Sequence, residues 1–181
     1  MSLITTSRHP AIKARVLIKD LSHLLPNCLR INRGKASLSA LVMKALQNSK
    51  HTIIIVDSKK SIPDSLHILQ IGVNARILND FRILITGFEE KTSVSSLRAP
   101  ETAPRYYLID ENLPNQVIDK ISEISKSLGL NKIDNAQLNN ISGVVFYFKL
   151  ENNTVTLKFY LAPSMDELGP RLKIQQIVKG G

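Results

Sequence analysis

The feature that most constrains the fold is an apolar run that begins just after His51. Residues 52–56 read Thr-Ile-Ile-Ile-Val, with four consecutive β-branched aliphatic residues after the threonine. A strand with one face in solvent alternates apolar and polar residues, whereas a strand covered on both faces is apolar throughout. The run therefore predicts an α/β protein in which helices pack on both faces of a sheet.

The segments before this run supply helices of the required kind. Apolar residues recur at helical spacing in two stretches, and each stretch follows a short segment that favours a strand. In chain order we predict a strand over Leu3–Thr6, a helix capped by Ser7 with Pro10 in its first turn, a strand over Cys28–Ile31 and a helix capped by Ser37. We place Lys13, Lys19 and Asp20 on the outer face of the first helix. Residues 1–60 thus read β-α-β-α-β.

The rest of the chain predicts more strands and a second α/β unit. A helix is predicted from Pro114 to Gly129, and Asn152-Asn153 is predicted to form a hairpin turn. The predicted strands are Ser65–Ile71, Ala75–Leu78, Phe81–Thr86, Arg105–Ile109, Gly143–Leu150, Asn153–Leu161 and Leu168–Val178. Residues 89–104 hold two prolines and no apolar period, which is typical of a linker. We therefore expect a single domain over 1–181, with α/β halves at about 1–88 and 105–181.

The net positive charge of the chain lies entirely in its first third. Residues 1–60 hold eleven Lys or Arg and two acids, a net of +9, and this equals the net charge of all 181 residues. The remaining 121 residues sum to zero. Solubility requires only modest charge spread over the surface, whereas a concentration of one sign favours a polyanionic partner. A solvated basic face without a partner is the alternative.

The sequence offers no pattern typical of catalysis, cofactor binding or membrane insertion. It lacks both the G-x-x-x-x-G-K-[ST] and the G-x-G-x-x-G phosphate-binding motifs, and its four histidines stand too far apart to share a metal. It also has no apolar run of eighteen residues and no secretory signal. We therefore expect a non-enzymatic intracellular protein with no catalytic residue, no metal and no cofactor.

Several basic residues suit the binding of RNA phosphates. Arg8 is predicted at a strand-to-helix junction, where free backbone N–H groups also favour an anion. Arg30, Arg33 and Lys35 flank Gly34, which allows a phosphate to approach the backbone closely. Residues 1–60 contain no Phe, Tyr or Trp, which argues against base stacking and for recognition of phosphates and RNA shape. A structural arginine at position 8 and an ordinary solvated turn at 33–35 are the alternatives.

Motifs at both ends of the chain resemble those of a known family. Ile4-Thr5-Thr6-Ser7-Arg8-His9-Pro10, with Leu25-Pro26-Asn27 and Ile31-Asn32-Arg33-Gly34-Lys35, is similar to the opening signature of Brix-domain proteins. Glu167-Leu168-Gly169-Pro170-Arg171-Leu172 resembles the E-[IL]-G-P-R motif that closes the domain. The chain departs from the family at Gly72-Val73-Asn74-Ala75-Arg76, where a G-P-T-A-x-F element is usual.

The resemblance implies a fold of two α/β halves related to the anticodon-binding domain of class II aminoacyl-tRNA synthetases. It also implies a function in rRNA processing and ribosomal subunit assembly through binding of rRNA or pre-rRNA. The expected location is the cytoplasm, or the nucleolus if the source is a eukaryote. Because the chain has almost no extension beyond the domain, it resembles the archaeal form of the family. The RNA-binding residues predicted from charge and resemblance together are Arg8, Lys13, Arg15, Arg30, Arg33, Lys35, Arg171 and Lys173.

Two other functions fit the same sequence. In one, the chain is a protein-interaction scaffold whose basic face meets an acidic ribosomal or assembly protein. In the other, it is an accessory domain that binds tRNA, since fold alone does not determine function. Neither alternative requires a membrane.

Overall fold

The structure is a computed structural model that describes residues 2–180, so the outer limits of the predicted domain, residues 1 and 181, lie outside the described residues. Its strands are β1 Ser2–Thr6, β2 Leu29–Arg30, β3 Thr52–Lys59, β4 Ile62–Ile71, β5 Ile77–Glu89, β6 Arg105–Ile109, β7 Asn131–Lys132, β8 Gly143–Glu151, β9 Thr154–Ala162, β10 Asp166–Glu167 and β11 Arg171–Lys179. Its α-helices are α1 Ile12–Leu24, α2 Leu38–Gln47, α3 Lys91–Val94 and α4 Asn115–Ser127, and a 3₁₀ helix covers Asn135–Asn140.

All the described strands join one mixed sheet. The order is β2-β1-β3-β4-β5-β11-β9-β8-β6-β7, with β10 paired to β9 beside this path. β1 is parallel to β2 and β3, and β6 is parallel to β7 and β8, while the other pairs are antiparallel. The strand orders β2-β1-β3-β4-β5 and β7-β6-β8-β9-β11 correspond position by position, and they meet where β5 pairs with β11.

The helices cover both faces of the sheet, as the apolar run of β3 predicts. Ile54 and Val56 of β3 belong to a core that also includes Leu17 of α1 and Ile121 of α4. Ile53, on the opposite face of β3, packs in a second core with residues of α2. A third, smaller core lies under the 3₁₀ helix. β3 is therefore apolar on both faces because α1 and α2 bury both of them.

Three local predictions about helix and strand limits were wrong. Ser7 does not cap α1: its backbone N–H continues the sheet by donating to Val56 O, and Ala11 is the N-cap residue, so Pro10 also precedes the helix. The predicted strands at 75–78 and 81–86 form the single strand β5. Asn79 and Asp80, which look like a break, are instead paired across the sheet with Gln70 and His67.

The environment of one side chain and the start of one further strand also differ from the predictions. Asp20 is 8% exposed and lies beneath α3, where its Oδ2 accepts a hydrogen bond from the Lys91 backbone N–H at 3.3 Å. It therefore does not lie on the outer face of α1. The strand predicted over Leu168–Val178 begins later, because β11 begins at Arg171. Leu168 is buried but precedes the strand. The predicted cap at Ser37, the turn at Asn152-Asn153 and the helix between Pro114 and Gly129 are confirmed.

Candidate nucleic-acid interface

The carboxyl ends of β1, β2 and β3 lie at one edge of the sheet because the three strands are parallel. Arg8 follows β1, and the loop with Arg33 and Lys35 follows β2. Ile31 N–H donates to Ile4 O at 3.0 Å and Thr5 Oγ1 donates to Ile31 O at 2.9 Å, so the two chain segments leave the sheet side by side. The fold therefore brings these predicted residues to the same edge.

Three further predicted residues lie close to this edge. Lys13 and Arg15 are exposed in the first turn of α1, directly after the segment that contains Arg8. That turn holds no acidic residue, so its free backbone N–H groups and its two cationic side chains all contribute positive potential. Arg30 is exposed on β2, the outermost strand of the sheet on this side. Six of the eight predicted residues thus belong to one region.

Sequence reasoning missed two lysines at the same edge. Lys59 ends β3, and Lys60 begins the two-residue turn into β4. Both are exposed. The predicted β-α-β-α-β order already contained the signal, because residues that follow the third parallel strand must emerge where the first two strands end. We call Arg8, Arg33, Lys35, Lys59 and Lys60 the basic edge.

Within residues 2–180, the cations of the basic edge are not neutralised by carboxylates. Among residues 2–180, none of these five side chains, nor Lys13, Arg15 or Arg30, has a carboxylate oxygen within 4.0 Å. Only Arg33 is partly held, since its Nε donates to Ala36 O at 3.2 Å. Clustered unpaired cations repel one another, and a polyanion relieves that repulsion.

The two remaining predicted residues lie on β11, farther along the sheet. Arg171 is opposite Glu89 of β5, and Lys173 is opposite Gly87. β11 is four strands from β1 and three from β3, about 19 and 14 Å at ordinary strand spacing. Arg171 lies opposite the carboxyl end of β5, which is parallel to β3. The fold therefore places Arg171 and Lys173 at the same end of the sheet as the other six, but several strands away from them.

Arg171 is occupied by carboxylates. Its Nε and Nη2 donate to the two oxygens of Glu167 at 2.6 and 2.7 Å, and its Nη1 donates to Glu89 at 3.1 Å. These hydrogen bonds, led by those to Glu167, raise the pKa of Arg171 above its ordinary value. A cation bound by two carboxylates has little affinity left for a phosphate. Lys173, in contrast, is exposed and has no carboxylate within 4.0 Å among residues 2–180.

The closing motif around Arg171 fastens the segment after β5 to the sheet. Leu168, Gly169 and Pro170 are buried, and Leu168 N–H donates to Phe159 O at 2.7 Å. Gly169 has φ +60°, and a Cβ there would lie 3.0 Å from Val94 Cβ and 3.1 Å from Lys91 Cα. The motif thus contributes to packing against α3, and its geometry supports a structural function.

A cavity of about 560 Å³ lies between α1 and the segment that includes α3. Lys19, His23, Lys91 and Arg98 line it together with Asp20. Burial raises the pKa of the Asp20 carboxyl, against the lowering effect of the Lys91 backbone N–H. Among residues 2–180, no serine or threonine hydroxyl that lines the cavity is hydrogen-bonded to His23 or to a carboxylate, as an activated nucleophile would be.

The corresponding edge of the other half of the sheet has the opposite charge. Asp110 and Glu111 follow β6, Asp134 follows β7, and Glu151 ends β8 before a two-residue turn. We call these four residues the acidic edge. Glu151 is paired with Lys158 at 2.7 Å and Lys149 at 3.4 Å. Asp110 accepts hydrogen bonds from the backbone N–H groups of Asn112 and Leu150, and the first of these contributes most to lowering its pKa.

The described part of the chain has neither a metal-binding cluster nor a membrane-spanning helix. Within residues 2–180 no group of three or more His, Cys, Asp or Glu side chains is arranged to hold a metal ion. The helices of the same range are too short or too polar to cross a bilayer.

The fold and site define a class: an α/β protein with one continuous mixed sheet, corresponding strand orders in its two halves and a basic edge on one of them. A crystal structure described as a probable ribosomal biogenesis protein from Aeropyrum pernix K1 superposes with a TM-score of 0.74 at 20% identity, over 96% of this chain and 94% of that one. This similarity establishes the fold. No family model matches the chain.

Curated relatives are similar to this chain in sequence as well as in fold. A probable Brix domain-containing ribosomal biogenesis protein from Sulfurisphaera tokodaii is 24% identical over 177 residues, which cover 96% of this chain and 90% of that protein. One of the same description from Methanopyrus kandleri is 35% identical over 69 residues, which are 38% of this chain and only 36% of that relative. The chain is thus a homologue of archaeal Brix domain-containing proteins, as its end motifs predicted.

Proposed function

We propose that this chain is an rRNA-binding ribosome biogenesis factor. It acts without catalysis in rRNA processing and subunit assembly, and its binding surface is centred on Arg8, Arg33 and Lys35 of the basic edge. The observation that carries the proposal is that Arg8 and Lys35 are exposed, Arg33 is partly exposed, and none of the three has a carboxylate partner among residues 2–180. The descriptions of the curated homologues as ribosomal biogenesis proteins support it.

The mode of recognition follows from which side chains are present. The absence of Phe, Tyr and Trp from residues 1–60 argues against recognition by base stacking on aromatic side chains, and for specificity from the positions of phosphates and the shape of the RNA. Arginine at positions 8, 15, 30 and 33 allows bidentate contact with phosphate oxygens. Lys13 and Lys35 add point charges to the same region.

The proposal extends to domain organisation, partners and location. The halves, residues 1–88 and 105–181, form one domain related in fold to the anticodon-binding domain of class II aminoacyl-tRNA synthetases, with 89–104 as linker. The partners are rRNA or pre-rRNA and other assembly proteins, in the cytoplasm or, in a eukaryote, the nucleolus. A function as a protein scaffold is the second candidate. It is favoured by exposed apolar side chains near the β4–β5 turn, where Val73 is 88% and Leu78 59% exposed.

A charge-reversal variant, Arg33→Glu with Lys35→Glu, tests the RNA-binding proposal. Transcripts tiled across the small and large rRNAs are titrated with the parent chain at several salt concentrations. The parent is expected to bind at least one transcript with a steep salt dependence, because neutralised phosphates release counterions. The variant should bind roughly 100-fold more weakly at 0.1 M salt and lose about 2 from the slope of log affinity against log salt.

The matched control reverses charge in the C-terminal half, with Glu111→Lys on the acidic edge and Asp119→Lys on the exposed face of α4. It changes the net charge by the same number of units in the other direction and should leave rRNA affinity within about threefold of the parent. Circular dichroism must show both variants folded. Unchanged affinity of the Arg33/Lys35 variant would refute the assigned surface, and capture of a protein partner without rRNA binding would favour the scaffold.

A further inference from the structure

The β3–β4 turn adds lysines to the basic edge at a defined position. Lys59 pairs with Ile62, and Lys60 and Ser61 form the two-residue turn between them. β3 lies beside β1, and the Ala11 backbone N–H donates to Ser58 Oγ at 3.1 Å. This hydrogen bond joins the end of β3 to the segment that carries Arg8. The turn is therefore held next to a predicted RNA-binding loop.

The backbone of this turn is unfavourable for the residues that form it. φ is +49° at Lys60 and +70° at Ser61, so both residues are in the left-handed region. Two-residue turns with positive φ at both positions favour Asn and Gly, which adopt this conformation at the lowest cost. The corresponding turn between β8 and β9 uses Asn152 and Asn153, at φ +49° and +59°. The same turn conformation thus occurs twice in the fold, and only the turn at Asn152-Asn153 has residues that favour positive φ.

No contact within the described protein accounts for lysine in this turn. Lys59 and Lys60 are exposed, and neither has a carboxylate oxygen within 4.0 Å among residues 2–180. Asp57 and Asp64 are the acids nearest in sequence, and Asp57 Oδ2 instead accepts a hydrogen bond of 3.5 Å from Ser65 Oγ. An unfavourable backbone conformation combined with an exposed unpaired charge is more typical of a binding site than of a stabilising element.

We propose that Lys59 and Lys60 bind the phosphate backbone of the same RNA as Arg8 and Arg33, an inference that rests on the proposed function. The three loops follow β2, β1 and β3, which are adjacent in this order. The outer two strands are about 10 Å apart at ordinary strand spacing. An RNA backbone that runs along this edge contacts the Arg33 loop, then Arg8, then the lysine turn.

An exchange of residues between the two turns tests this inference at constant net charge. The variants are Lys60→Asn, Asn152→Lys and the two combined, measured in the full chain against the rRNA transcript that the parent binds most tightly. Lys60→Asn should weaken binding roughly five- to tenfold at 0.1 M salt and reduce the salt slope by about 1. Its melting temperature should equal or exceed that of the parent, because asparagine suits the turn.

The reverse substitution has the opposite pattern. Asn152→Lys should lower the melting temperature and leave rRNA affinity unchanged, and the combined variant should bind as weakly as Lys60→Asn. Lys60→Arg should retain affinity. A lysine that serves only the fold predicts lower stability and unchanged binding for Lys60→Asn, which would overturn the inference.

Two further outcomes would also overturn it and differ from failure of the proposed function. If the combined variant recovers parental affinity, the RNA responds to net charge and not to the position of Lys60. If Lys60→Asn binds like the parent while the Arg33/Lys35 reversal weakens binding, the RNA-binding function stands and the turn is not part of the site. A parent that binds no rRNA transcript refutes the proposed function itself.

Discussion

The two edges of this sheet are built by the same topology and carry opposite charge. Each is formed by the carboxyl ends of three parallel strands, and each includes a two-residue hairpin turn with positive φ at both positions. On the basic edge the loops hold Arg8, Arg33, Lys35, Lys59 and Lys60. On the acidic edge they hold Asp110, Glu111, Asp134 and Glu151. Because the strands correspond and the charges do not, the fold does not dictate the charge of its edges.

The two edges also differ in whether their charged side chains have partners within the protein. Three acidic side chains are used locally: Glu151 pairs with Lys158, Asp110 binds backbone N–H groups, and Asp134 accepts a hydrogen bond from the Gln137 backbone N–H. Of the basic side chains, only Arg33 has a local hydrogen bond among the described residues, from its Nε to Ala36 O. Loops on a rigid sheet can change without loss of the core, which is why binding residues concentrate there. Substitutions in the C-terminal half can therefore serve as controls for substitutions on the basic edge when rRNA affinity is measured.

The largest expected effect on stability concerns the contact between the halves. Arg105 of β6 is 3% exposed, and its guanidinium donates to Leu24 O at 2.7 Å, Pro100 O at 3.0 Å and also Ala103 O. Arg105→Met should reduce the free energy of unfolding by about 2–4 kcal/mol, since buried carbonyl groups lose their donor. Denaturant unfolding measures the loss.

The same variant tests whether the two halves are coupled. Hydrogen exchange should rise in β3 and β8 together, because Arg105 joins the end of α1 to the C-terminal half. Exchange that rises in only one half would show that the edges belong to independently stable units. At a temperature where the variant is folded, its rRNA affinity should equal that of the parent.

A smaller effect is expected at the closing motif. Gly169→Ala places a Cβ close to Val94 and Lys91 at φ +60°, where a side chain is unfavourable. We expect a loss of about 1–2 kcal/mol in the free energy of unfolding. rRNA affinity should not change if this motif only fastens α3. A large loss of affinity in a fully folded Gly169→Ala variant would place part of the RNA interface there.

The smallest effect is expected for Asp20→Asn. Burial raises the pKa of Asp20, so the protonated form favours folding, and this contribution is lost as pH rises through the raised pKa. Asparagine stays neutral, so the variant should be more stable than the parent at neutral pH by less than about 1 kcal/mol. The difference should vanish below the ordinary pKa of Asp, about 4.

Asp20→Asn also raises net charge by one unit away from the basic edge. Its rRNA affinity should match that of the parent, and a clear gain would indicate that affinity depends on total charge and not on its placement.

Much of the fold was predictable because its signals are local. The apolar run of β3, the Ser37 cap and the turn at Asn152-Asn153 each depend on a few adjacent residues. The continuity of β5 was not predictable in this way, because Asn79 and Asp80 are stabilised by partners on β4. The burial of Asp20 likewise depends on α3, which is distant in sequence.

The candidate site was predictable as a set of residues but not as a surface. Charge and motifs pointed to Arg8, Arg33 and Lys35, and the fold brings them to one edge. The same reasoning grouped Arg171 with them, although its carboxylate partners and its position on β11 are properties of the tertiary structure. The lysine turn was missed because its position follows from the order of the parallel strands, which was predicted, and not from composition or motifs.

Crosslinking of the parent chain to rRNA, with mass-spectrometric identification of the crosslinked residues, tests the central claim most directly. The account predicts crosslinks within residues 7–15, 30–35 and 57–61, and none at residues 110–112, 134 or 151–153. Sequencing of the attached RNA identifies the ribosomal subunit. Crosslinks confined to the acidic edge or to β11, with the basic edge unmodified, would contradict the account.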